Sequence, residues 1–168
     1  DLIEEALEFG YSLGEELSEA NWVALWNWLI YCRPEILSDC LKSGKVPASL
    51  LNACDEINDC NVLHAICCGT TVDMADSRAE CVQALLASEK FSAERTNAVV
   101  IETYYRTSLH FAAAKGHTKC VQALLASEKF SAESTNEVDS GGETALHAAA
   151  INGYAKCVQA LLLSEKFS

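Results

Sequence analysis

The chain has 168 residues, half of them hydrophobic, and a net charge of −12, which excludes a disordered tail and argues against a nucleic-acid partner, because a polyanion would be repelled. The charge is uneven: residues 1–60 hold twelve acids against Arg33, Lys42 and Lys45, a net of −9, and residues 61–168 hold twelve acids against nine bases, a net of −3. The longest strongly apolar run, Trp22 to Tyr31, contains Asn27 and is too short to cross a bilayer, so no membrane role is expected, and with no leading Met and no basic-then-apolar signal segment Asp1 reads as the start of a fragment.

Taken in chain order, residues 1–18 predict an amphipathic helix with Leu2, Ile3, Ala6 and Leu7 on one side, the body of an N-terminal cap over residues 1–22. Residues 23–60 form a degenerate unit. Its segment VALWNWLIYCRPEILSDCLKSG aligns without gaps on TALHAAAINGYAKCVQALLLSE near the end of the chain, which places Ile36, Leu37 and Leu41 on Cys157, Val158 and Leu162. Trp26 and Trp28 replace a histidine and a packing alanine there, and rings of that size need the cap to cover them.

Three clearer units follow, at residues 61–106, 107–143 and 144–168. Each opens on a shared motif: NVLHAICCG from Asn61, TSLHFAAAKG from Thr107, TALHAAAING from Thr144. Each continues into a second motif: CVQALLASEKFSAERTN from Cys81, CVQALLASEKFSAESTN from Cys120, CVQALLLSEKFS from Cys157, in steps of 39 and 37 residues. Such self-similarity marks stacked repeats. Each unit predicts two short helices. Thr107, Thr144 and Asn61 are placed to cap the first, Gly116 and Gly153 to stop it, and Cys157, Val158, Leu161 and Leu162 form the apolar face of the second. One pair cannot bury its own face, whereas stacked pairs can. Between Gly69 and Cys81 the first clear unit carries about eight more residues than the later ones, which predicts a surface loop over Thr70–Arg78. The near-identity of Cys81–Asn97 and Cys120–Asn136 extends to surface positions, and recent duplication accounts for that better than packing.

The motifs TALHAAAINGYAKCVQALL and TSLHFAAAKGHTKCVQALL resemble the ankyrin repeat, with its T-P-L-H-x-A-A, G-H and V-V-x-x-L-L signatures. The likeness covers residues 61–168 and implies an all-α solenoid of helix-turn-helix units. It also implies local bonding between Thr107 and His110 and between Thr144 and His147, with Asn61 standing in for threonine beside His64. The units are about four residues longer than the family period, which predicts a second helix extended to Lys90 or Lys129 and then a longer, hairpin-like finger.

The nine cysteines form no CxxC pair. Cys81, Cys120 and Cys157 share one slot of an apolar helix, so they read as buried, reduced core thiols, with no metal expected and a reducing, intracellular compartment implied. No phosphate-binding loop, nucleophile elbow or HExxH is present, so no catalytic residue and no cofactor is expected. The resemblance implies a protein-binding module acting through its fingers and concave helix face. The alternative is a recruitment domain of a larger enzyme, including a secreted effector of an intracellular microbe acting in host cytosol; the sequence stops at Ser168 within an expected SEKFSAE, without a polar cap. The candidate contacts are Tyr104, Tyr105 and Arg106 at one fingertip, Asp139 and Glu143 at the next, Phe111 and Lys115 on the adjoining helix, and Ile151 and Asn152 one repeat along. The two tyrosines either stand out as anchors or fold back on their own hairpin. Gly142 is expected at positive φ, and Tyr105 occupies the equivalent place. The resemblance marks Asn136 as a finger asparagine open to hydroxylation. The acidic cap and the Thr70–Arg78 loop are the next candidate surfaces.

Overall fold

The computed structural model describes residues 34–44, 46, 48–54, 60–69, 75–101 and 104–168. The expected cap at 1–22, Trp26, Trp28, and the Thr70–Met74 part of the inserted loop lie outside the described residues.

The chain runs α1 (Pro34–Lys42), α2 (Ala48–Leu51), α3 (Val62–Cys68), α4 (Ala75–Ala87), α5 (Ala93–Thr96), β1 (Val99–Val100), β2 (Arg106–Thr107), α6 (Ser108–Ala114), α7 (Thr118–Ala126), α8 (Ala132–Asn136), α9 (Ala145–Ile151) and α10 (Ala155–Leu162). Two rows of helices result. First helices α3, α6 and α9 stack on one another, and second helices α1, α4, α7 and α10 stack in the other row. Helix α1 falls where the gapless alignment puts it, with Leu37 and Leu41 buried.

Local chemistry sets the ends of the first helices. Asn61 Oδ1 accepts from Leu63 N at 3.0 Å and His64 N at 3.3 Å. At the other end Gly116 and Gly153 sit at φ +72° and +75°. Their N–H groups bond back to Ala113 and Ala150, and the next N–H groups, of His117 and Tyr154, bond to Ala112 and Ala149. This is the six-to-one closure that a left-handed glycine permits. The core lies between the rows, with Leu63, Leu85, Leu109, Leu124 and Leu161 wholly buried and Ala112, Ala113 and Ala149 allowing the first helices to approach closely. Each buried leucine contributes about 2 kcal/mol by removal from water.

The second helix is not extended to Lys90 or Lys129; α4 ends at Ala87 and α7 at Ala126. The extra residues form a tight S-x-K-F turn and then a short additional helix. In the turn, Phe91 N donates to Ser88 O and Phe130 N to Ser127 O, each at 3.2 Å, which folds the Phe91 and Phe130 rings into the core. Ser92 and Ser131 then cap α5 and α8 through their hydroxyls.

These additions carry a second ladder between repeats. Asn97 Nδ2 donates to Ala93 O in its own repeat and to Lys129 O in the next, each at 2.7 Å, while its Oδ1 accepts from Ser131 N at 2.8 Å. Asn136 repeats the pattern on Lys166 O and Ser168 N, and Asn52 on Lys90 O and Ser92 N. Lysines reach the other way. Lys129 Nζ donates to Ser88 O and Phe91 O, Lys166 Nζ to Ser127 O and Phe130 O, and Lys90 Nζ to Gly44 O and Val46 O. The near-identity of the two long copies therefore has a structural cause at Ser88, Lys90, Phe91, Ser92 and Asn97. Lys90 and Asn97 are fixed by side-chain hydrogen bonds between repeats, Ser88 and Ser92 by the backbone N–H groups that their hydroxyls accept within the repeat, and Phe91 by burial in the core. The ladder also aligns SGKVPASLLN from Ser43 with SEKFSAERTN from Ser88, a correspondence that side-chain identity hides.

The inserted segment is only partly loop. Residues 75–78 lengthen α4, where Asp76 pairs with Lys119 of α7 and Arg78 is buried with its guanidinium donating to Ile66 O at 2.9 Å.

Asn97→Ala leaves Lys129 O and Ser131 N without their partner and is expected to lower stability by about 1–3 kcal/mol. Urea melts of the two proteins check this, and an unchanged midpoint would show that the ladder is decorative.

Candidate partner-binding surface

The fingers stand on buried imidazoles. Thr107 N–H donates to His110 Nδ1 at 3.2 Å, so that nitrogen carries no proton. Nε2–H is then the donor to Glu143 O in the following finger, at 3.1 Å, and the Thr107 hydroxyl, 2.9 Å from Nδ1, donates as well. His64 does the same with Asn61 N–H and Ala98 O. Asn61 thus replaces threonine without loss, and its amide also donates to Arg95 O at 2.7 Å. In the last repeat Thr144 holds His147 Nδ1 likewise, with the ring exposed. Burial holds the His110 and His117 rings below the usual imidazole pKa. His117 Nε2 lies 2.7 Å from Gly69 O.

Two fingertips meet above this base. The first is the hairpin of β1 and β2, paired antiparallel with Val100 opposite Arg106. At its tip Tyr104 and Tyr105 both take left-handed backbone, φ +67° and +60°. Tyr105 therefore adopts the conformation of its equivalent, Gly142, at φ +78°. Bulky residues rarely do so, at a cost of roughly 1 kcal/mol or more each. Neither ring folds back on the hairpin: Tyr104 is 66% exposed and Tyr105 52%. Ile101 and Val138 are exposed on the same two fingers.

The second finger is closed by Asp139. Its Oδ1 accepts from Gly141 N at 2.9 Å and Glu143 N at 3.1 Å, and its backbone pairs with Glu143. Its Oδ2 takes Arg106 Nε and a terminal guanidinium nitrogen, each at 3.0 Å. Ser140 N–H donates to Tyr104 O at 2.8 Å. Burial opposes ionisation of Asp139, but the Glu143 and Gly141 N–H groups and Arg106 together hold its carboxyl below the usual range.

The expected contact residues therefore divide. Tyr104 and Tyr105 stand out at the fingertip. Arg106 and Asp139 are turned to each other, and Asp139 is buried, so they tie finger to finger rather than facing outward. The Glu143 backbone is the acceptor for His110. Phe111 is half-buried, its ring edge-on to His64 with centroids 6.1 Å apart. Lys115, Ile151 and Asn152 are exposed at the C-terminal ends of α6 and α9. Asn136 is held in the ladder by Ala132 O, Lys166 O and Ser168 N. Cys81, Cys120 and Cys157 are buried, and burial pushes the thiols of Cys81 and Cys120 up to about 12. Among the described residues no group of three His, Cys, Asp or Glu is placed to hold a metal ion, and no helix is long and apolar enough to cross a membrane.

The structural job of Asp139 was missed in the sequence, although Asp before Ser-Gly-Gly is a turn signal. Its pairing with Arg106 has no sequence signal, since it depends on how two fingers lie side by side.

Residues 72–167 match the family model for ankyrin repeats, in three copies. No curated protein matches the chain.

Two outcomes are expected. The unfolded chain binds protons near the ordinary imidazole pKa of about 6.5, whereas the folded chain holds His110 and His117 neutral to lower pH. Stability is thus full above that pKa and falls as pH drops from it through the folded values; urea midpoints measured from pH 7.5 down to 5 check the sign. Separately, Cys81 and Cys120 in native protein at pH 8 should react with a thiol reagent at least about a hundredfold more slowly than in the unfolded chain. Equal rates would place them at the surface.

Proposed function

The chain belongs to the ankyrin-repeat family, and from that premise we propose that it captures a protein partner through the fingertip at Tyr104 and Tyr105. Ankyrin repeats are generally protein–protein interaction modules, and nothing in this one indicates catalysis. The observation that carries the proposal is a pair of exposed tyrosines on left-handed backbone, pinned from the neighbouring finger by Ser140 N–H and by the Arg106–Asp139 pair.

Two strained, exposed aromatics give the fold little, since their rings are not buried in it. Strain held in place by surrounding contacts is a feature of binding sites. A tyrosine already fixed at its backbone gives up little freedom on docking, so more of its contact area appears as affinity. Ile101 and Val138 enlarge the apolar part of the surface, and Lys115, Ile151 and Asn152 extend it along the helix ends. A reducing compartment fits the use of cysteine as a buried core residue at Cys81, Cys120 and Cys157.

The test replaces Tyr104 and Tyr105 together by serine and compares capture from a lysate of the source cells. The expected loss is about 2 kcal/mol or more, roughly thirtyfold in affinity, with thermal stability nearly unchanged. Undiminished capture by a folded variant would move the interface elsewhere. Salt sensitivity of that capture would then point to the acidic residues 1–22.

A further inference from the structure

The joints inside the stack cover their leading positions: Leu63, Cys67 and Val82 are wholly buried in the repeat before. Leu109, Ala113, Val121 and Ala123 are at most 9% exposed. Their equivalents in the last repeat, Leu146, Ala150, Val158 and Ala160, are half-buried or exposed, and Leu162 and Leu163 are 60% and 76% exposed. Ala150, Gly153, Ala155, Val158, Leu162 and Leu163 line an open apolar groove of about 560 Å³.

The polar half of the joint stops at the same face. His64 and His110 each donate to a carbonyl of the following finger, and His147 occupies that slot in the last repeat with its ring exposed. The Ser88 and Phe91 carbonyls, and then those of Ser127 and Phe130, receive the ammonium of the following repeat's lysine. Ser164 and Phe167 present the equivalent carbonyls in the last turn. The Tyr154 ring lies so close over Gly116 that a Cβ there would sit 2.6 Å from it, whereas a Cβ on Gly153 would meet nothing within 4 Å.

We propose that this face is the docking surface for one further helix pair of the same repeat, and that the lysine of the occupant's S-x-K-F turn selects it over an ankyrin helix pair without that turn. The face continues an interface that the chain already uses at each described joint. Its apolar half accepts any helix pair of matching shape. Its two convergent carbonyls require a compact cation, which an ammonium on a flexible stem supplies. A second copy meeting this face tail to tail would set carbonyl against carbonyl and bring no donor. The proposal is independent of the fingertip reading, because nothing in it involves Tyr104 or Tyr105.

The test extends the chain by a second copy of residues 132–168 placed directly after Ser168, which keeps the repeat register because Ser168 is the equivalent of Ser131. The extended protein should melt in one transition, roughly 3 °C or more above the parent. The α10 amides should exchange at least about tenfold more slowly. Lys166→Met within the added copy alone should forfeit most of that protection while leaving the apolar contact intact. A separately melting added unit with unchanged α10 exchange would overturn the docking surface. Equal protection with lysine and methionine would overturn the selection. Self-association of the parent chain abolished by Leu163→Lys would make a second copy the occupant and overturn the proposal as well.

Discussion

The asparagine side chain that closes each repeat is where the solenoid is held in register. Asn52, Asn97 and Asn136 each join a carbonyl of their own short helix to a carbonyl and an N–H of the next repeat. Apolar faces attract without direction and tolerate sliding. A planar amide with two donors and two lone pairs does not, because a shift of even 1 Å breaks bonds whose useful range is about 2.7–3.2 Å. The lysine that reaches back from the next turn locks the same joint from the other side. Hydrophobic burial thus supplies the stabilisation, and the amide ladder decides how the repeats sit.

That rigidity is passed to the fingers through the histidines. An imidazole that accepts at Nδ1 from its own repeat and donates from Nε2 to the next finger has one working tautomer, and it works only while neutral. Burial supports that state for His110 by penalising the charged ring. The finger carbonyl at Glu143 is thereby fixed from below, and Asp139, two hydrogen bonds away, is fixed from the side by Arg106. Tyr104 and Tyr105 stand at the end of this chain of contacts. Their unfavourable backbone persists because the groups on either side are already committed.

Much of the architecture was legible in the sequence. The caps at Asn61, Thr107 and Thr144, the stops at Gly116 and Gly153, and the buried cysteine slot all rest on local or periodic chemistry, and such chemistry survives in a single sequence. The same holds for the degenerate helix at Pro34–Lys42, whose apolar spacing is intact although its partner motif is not. The second helix was read too long because SEKF continues the polarity of a helix face; the serine turn that ends it competes through a side-chain bond that composition does not reveal.

The sequence by itself determined the unit, its repetition and the family, because each depends on residues within a few positions of one another. Only the tertiary structure decided what the repeated surface residues do. Lys129 and Ser88 are forty-one positions apart, and Arg106 and Asp139 thirty-three. No local pattern distinguishes a lysine that donates across a joint from one in solvent, or an arginine that braces a finger from one that meets a partner. Those roles are set by which backbone carbonyl or carboxylate stacking brings within reach.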